Sequence, residues 1–196
     1  MSTFGLHWTQ QTGGSNAIHW IDIPRILRSE PPGCAPGHTW EAILEQWIGL
    51  ARAAWDGERK PKWKVYALNR LFFDELRLKA VSAADDPQAM YLENVLVRGA
   101  GNCLGLSLLY LVCAEACGAR FTPVLAARHV FVRCEGEDRS RNIETVRRGR
   151  EYPDSHYLRK YDTGEDPVEL RVLSPIEFLG VLLVSRVAYE HIPHRD

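Results

Sequence analysis

Apolar and polar positions alternate along this chain with two periods, and the change between them falls near its middle. Residues Thr39–Trp55 place Ile43, Leu44, Trp47, Ile48, Ala51 and Trp55 at helical spacing, with Thr39 as N-cap and Gly57 beyond the end. A second helix is predicted over Lys64–Leu78, with Val65, Leu68, Phe72 and Leu76 on one stripe; Asn69 interrupts that stripe as a satisfied core amide. A short helix over Tyr91–Val97 leads into a glycine turn, Gly99 and Gly101. From Leu104 to Cys117 almost no polar face remains, which predicts a helix buried on most sides and closed by Gly118.

After Gly118 the period becomes two. Phe121–Ala127, His129–Cys134 and Asn142–Val146 read as strands, with Pro123 marking an edge or a bulge. The polar stretch Glu135–Ser140 is a hairpin loop, and a turn centred between Gly136 and Glu137 sets His129 directly opposite Glu144. Pro167–Val172 offers a further strand. Ser174-Pro175-Ile176-Glu177 is a capping box that opens a helix through Phe178, Leu179, Leu182, Leu183, Val187 and Ala188. Residues 1–38 are rich in Gly, Pro, Ser and Thr and read as an extension wrapping the core through its tryptophans, with Trp20–Ile23 as an edge strand; residues 39–196 form the domain proper.

Composition narrows the class. With 196 residues, ordinary apolar content and a net charge of -1, the chain reads as one globular domain and lacks the basic balance of a nucleic-acid binder. Five cysteines, at 34, 103, 113, 117 and 134, are an odd number and form no disulfide framework, which fits a reducing compartment. Neither a signal peptide nor a membrane-spanning run is evident, so a cytoplasmic location is expected. The arginines at 139, 141, 147, 148 and 150 read as a solvated surface.

The candidate chemistry sits at the head of the buried helix. Cys103 occupies its first turn, where unpaired N–H groups and the positive end of the macrodipole favour a thiolate, and the glycines before it give a substrate access to the sulfur. Cys113 and Cys117, deeper in the helix, read as small core residues, and a zinc site built on them is not expected. His129 supplies a base, and Glu144 on the neighbouring strand an orienting carboxylate. Asn102, through side chain or backbone, and the Cys103 amide are candidate oxyanion donors; Asn142, on the face of Glu144, is an alternative orienting group. No metal or cofactor is called for. His156 reads as a surface or hydrogen-bonded residue, and His191 and His194 as a frayed terminus.

Residues from about Val65 to Tyr161 resemble the bacterial transglutaminase-like core, in its SirB-type branch, within the papain-like Cys-His-Asp superfamily. The resemblance is carried by Leu68-Asn69-Arg70-Leu71-Phe72-Phe73, by Arg98–Leu106 with its Gly-Asn-Cys, by Gly118, by His129–Arg133, and by Asn142–Thr145 followed by Gly149. It implies an α+β fold in which N-terminal helices and the cysteine-bearing helix pack on an antiparallel sheet. It also implies Cys103 as nucleophile and His129 as its histidine, with Glu144 where many relatives have aspartate. Two functions follow. One is a thiol hydrolase or acyltransferase acting on amide bonds of a protein or peptide; the other is a non-catalytic protein-interaction module with a vestigial triad.

Overall fold

The computed structural model describes residues 18–27, 40–57, 60–136, 139–162 and 169–191. Thr39, Cys34, His194 and most of the extension over residues 1–38 lie outside these. The first element is a helix, α1 (Asp22–Leu27), and not the expected edge strand. Trp20, Ile23 and Leu27, three to four residues apart, all bury, which is a helical period; the His19 amide donates to the Asp22 carboxylate (3.0 Å) as the helix begins.

Helix α2 (Trp40–Trp55) matches its pattern. Helix α3 begins earlier than predicted, with proline at its first position (Pro61–Asn69), and continues as a π-helical turn over Arg70–Glu75. That turn buries Leu71, Phe72 and Phe73 together. Asn69 is satisfied, accepting from the Tyr110 hydroxyl and donating to the Gly149 carbonyl (2.9 Å). Two-residue strands β1 (Lys79–Ala80) and β2 (Ala100–Gly101) pair in parallel on either side of α4 (Leu92–Arg98).

Helix α5 (Cys103–Ala116) is the central element, and every residue from Leu104 to Ala114 is buried. Its end follows the glycine pattern: Gly118 adopts φ +72, and the amides of Gly118 and Ala119 return to the carbonyls of Glu115 and Ala114 (2.9 Å each). Strands β3 (Phe121–Ala126), β4 (His129–Cys134), β5 (Arg141–Glu144) and β6 (Arg150–Glu151) precede helix α6 (Asp154–Lys160), and β7 (Leu170–Val172) precedes helix α7 (Pro175–His191). The five strands form one antiparallel sheet in the order β6-β5-β4-β3-β7. This is a mixed helix and antiparallel-sheet fold. Among the described residues no helix is long and apolar enough to cross a membrane.

The two faces of the sheet divide the molecule. Val130, Val132, Cys134 and Ile143 join the main core beneath α5, whereas Val124, Ala126 and Phe131 form a smaller cluster with Tyr157 of α6 on the opposite face. Pro123 lies on a strand that is second from the edge, so the expected edge or bulge is replaced by a ladder end. Its carbonyl accepts from the Leu173 amide (2.9 Å), so the ring nitrogen faces the short β7 and removes no rung between β3 and β4. The capping box of α7 forms as read: Glu177 accepts from the Ser174 amide and hydroxyl (2.8 Å each), and the Glu177 amide donates back to that hydroxyl (3.4 Å).

The β4–β5 register differs from expectation. Val132 pairs with Ile143 and Arg133 with Asn142, a shift of two residues from the predicted pairing. A shift by two keeps every side chain on its face. His129 and Glu144 therefore remain on one face, as diagonal neighbours and not as directly opposed residues.

Candidate active site

Cys103 is placed by the packing of the first turn of α5. The Asn102 carboxamide oxygen accepts from the amides of Leu104 (2.9 Å) and Gly105 (3.1 Å), and the Asn102 amide donates to the Ala89 carbonyl (3.0 Å). The nearby glycines serve this packing and not access to the sulfur. A Cβ on Gly105 would stand 2.3 Å from the Ala89 carbonyl oxygen, and one on Gly101 would stand 2.9 Å from Val95 and Leu106. The turn is thus pressed against the chain around Ala89 and against α4, leaving Cys103 half-buried on the far side.

His129 opens β4 directly after a two-residue turn, Ala127–Arg128. Ala127 holds φ +50, a position where glycine is usual, so the turn that aims the histidine carries backbone strain. The ring is 7% exposed. Its Nε2 meets Glu144 Oε2 at 2.8 Å. The Cys103 thiol lies near enough to the ring to favour its charged form; with Nε2 committed to Glu144, Nδ1 is the nitrogen that remains for the sulfur. Burial is the largest influence on this imidazole and disfavours its charge, but Cys103 and the hydrogen bond to Glu144, with the charges behind them, outweigh it and push the pKa up to about 9.

Glu144, 1% exposed, ends β5, and its second oxygen accepts from the Val146 amide (3.4 Å) at the start of a 3-10 turn. The aromatic side chains of α6 and its end enclose the pair. Tyr161 stacks on the imidazole at 5.2 Å between centroids and 18° between planes, with Tyr157 parallel behind it at 6.4 Å. The Tyr157 hydroxyl lies beside Glu144 short of a well-formed hydrogen bond, and burial together with that carboxylate raises its pKa. Neither tyrosine was assigned a role from sequence, although their i, i+4 spacing was a signal that both face one side of a helix.

Of the remaining candidates, Asn142 is engaged elsewhere. Its oxygen accepts from Arg133 Nε (2.8 Å), and its nitrogen donates to the Tyr152 carbonyl (3.1 Å) and to Asp154 (2.6 Å), so it ties β5 to the start of α6 and leaves His129 to Glu144. The Asn102 amide N–H is likewise occupied. Its side-chain Nδ2 is different: Asn102 is 2% exposed, and this nitrogen is buried with no acceptor. The Cys103 amide, first in the helix, has no intrahelical acceptor either. Both donors belong to residues lining a cleft of about 830 Å³ that also takes in Cys103 and His129.

Outside this cluster, His156 is half-buried and stacks on Tyr152 at 4.1 Å. The side chains of His191 and the residues after it lie outside the described set. Cys113, Cys117 and Cys134 have thiols pushed up by burial, the last two to about 11. Among the described residues, no three His, Cys, Asp or Glu side chains converge as a metal site would require.

The fold is that of a helix-headed cysteine set against an antiparallel sheet whose strands deliver a histidine and a carboxylate. The family model of the transglutaminase-like superfamily matches residues 38–179, and the chain belongs to that superfamily, a family of enzymes that act on amides through a cysteine. A comparison with curated proteins finds no match, and neither does one with solved structures.

Proposed function

We propose that this protein is a cysteine hydrolase or acyltransferase acting on amide bonds of a protein or peptide, in the SirB-type branch and with papain-like roles for its triad. One observation carries the reading: a single imidazole, bonded to a buried carboxylate, stands beside a half-buried thiol at the edge of a cleft. Cys103 is the nucleophile, His129 the proton carrier and Glu144 the group that fixes the ring and balances its charge. Residues 1–38 are an extension and 39–196 the working domain, in a cytoplasmic setting.

The ring, with its pKa near 9, is protonated at neutral pH. The Cys103 sulfur attacks the amide carbonyl, and the oxyanion is met by the Cys103 amide, a first-turn donor without an intrahelical acceptor, and by Asn102 Nδ2, which has no acceptor of its own. The imidazolium gives its proton to the leaving amine as the C–N bond breaks, leaving a thioester on Cys103 and a neutral ring. Water or a second amine then attacks the thioester while the ring takes the attacking group's proton. The products are the acid or a new amide, and the free sulfur and the protonated ring return.

The test is alkylation by iodoacetamide across pH with mapping of the modified peptide. Expected is stoichiometric labelling of Cys103 at pH 6–7, slowed about a hundredfold or more by His129→Ala. Acylation by an amide substrate needs the protonated ring and declines above pH 9, whereas alkylation does not. Labelling that begins only near the free-thiol value of about 8.5 would point instead to the interaction module with a vestigial triad.

A further inference from the structure

The cleft beside Cys103 is far larger than the chemistry requires, at about 830 Å³. Its lining takes Gly180, Val181 and Val184 from α7 and Leu125 and Val130 from the sheet. Gly180 sits inside a helix, where glycine is less favourable than alanine. Packing gives no reason for it: a Cβ built there meets nothing within 4 Å and the backbone is not left-handed, in contrast to Gly101, Gly105 and Gly149, each of which a close neighbour forces. Gly49 in α2 has equal room, but on an exposed face with no cleft before it. What Gly180 leaves open is space in the cleft that Cys103 also lines.

The chemistry of the lining is one-sided. Glu177 is the carboxylate that reaches the cleft, and it is already held by Ser174 and by Arg171 (3.2 Å). The other charged groups are two arginines, Arg171 and Arg128, the latter exposed at the turn before His129. Val184 is left 71% exposed on the same wall, an apolar surface continuous with the site.

Building on the reading of Cys103 as nucleophile, we propose that this cleft receives a large aliphatic or aromatic side chain from the acyl half of the substrate, and that Gly180 sets its depth. Substrates are then amides whose acyl side carries a bulky apolar residue. A cationic residue there meets no free carboxylate and an unfavourable arginine, and glycine leaves the apolar walls uncovered.

The experiment uses the full chain and acetyl-dipeptidyl vinyl sulfones. In these probes the Cys103 thiolate adds to the vinyl carbon and the imidazolium supplies the proton to the adjacent carbanion. Leucine, glycine or lysine is placed in turn at each of the two acyl-side positions, with iodoacetamide as the small control. At one position the leucine probe is expected to react about tenfold or more faster than glycine or lysine. Gly180→Phe should bring the leucine probe down to the rate of the glycine probe, each rate taken relative to iodoacetamide on the same variant, and Val184→Arg, on a largely exposed position, should do the same. Equal rates for leucine and glycine, or a preference that survives both substitutions, would overturn the proposal.

Failure of iodoacetamide to modify Cys103 counts against the nucleophile alone. The pocket is then judged by fluorescence anisotropy of labelled leucine, glycine and lysine peptides with Cys103→Ala protein. About tenfold tighter binding of the leucine peptide, lost in Gly180→Phe, supports it, and equal binding refutes it.

Discussion

The first turn and the body of α5 carry chemically identical thiols in opposite settings. Cys103 is half-buried, opens on a cleft and lies beside a ring whose pKa is raised to about 9. Cys113, ten residues on and about 15 Å along the axis, is sealed in the core, where burial pushes its thiol far up. The helix itself does not decide reactivity. The body supplies stiffness through side chains packed on all sides, and the head acquires chemistry from what β4 and β5 bring to it.

The largest expected effect is on thiol selectivity. With Cys117 and Cys134 held near 11, about one part in ten thousand of either is thiolate at pH 7, so among the four cysteines of the described residues peptide mapping after brief alkylation should find label on Cys103 alone. Comparable label on Cys117 would erase the distinction between head and body. Next in size is the converse test by denaturant unfolding. Leu109→Ala in the body, where Leu109 is 0% exposed, should cost about 2–5 kcal/mol, and Cys103→Ser at the head less than about 1 kcal/mol.

A third prediction concerns pH. The folded pKa of His129, about 9, lies above its ordinary 6.5, so its contribution to stability is fully present below pH 6.5 and is lost as pH rises through 9. The loss is on the order of 3 kcal/mol, and Glu144→Gln should flatten it; a profile unchanged by that substitution would detach the carboxylate from the ring. The smallest effect is that of the stacked tyrosine. Tyr161→Leu should lower the imidazole's titration midpoint, followed by NMR, through loss of roughly 0.5–1 kcal/mol of ring–cation contact, and Tyr161→Phe should preserve it.

Much of this comparison is legible in the sequence because it is local. Leu104 to Ala114 announce a buried helix, Gly118 its end, and Ser174 with Glu177 the start of α7, since each signal lies within a few residues of what it specifies. His129 and Glu144 were placed on one face despite a wrong register, because strand parity tolerates an error of two. What was missed depends on distant partners. Trp20–Ile23 reads as a strand until Glu115, some ninety residues later, accepts from the Trp20 amide (3.1 Å). Asn142 looks free to orient a histidine until Arg133 and Asp154 claim it. The glycines around Cys103 suggest an open approach, yet Ala89 and Val95 fill the space they leave.

The diagonal placement of Glu144 has a consequence for how its length is understood. Opposed residues in an antiparallel pair stand about 5 Å apart and diagonal ones about 7–8 Å, so reach substitutes for alignment here. The glutamate methylene makes up what the strand offset takes away. Glu144→Asp, which keeps the charge and would pass for a mild change, should therefore behave as removal of the partner.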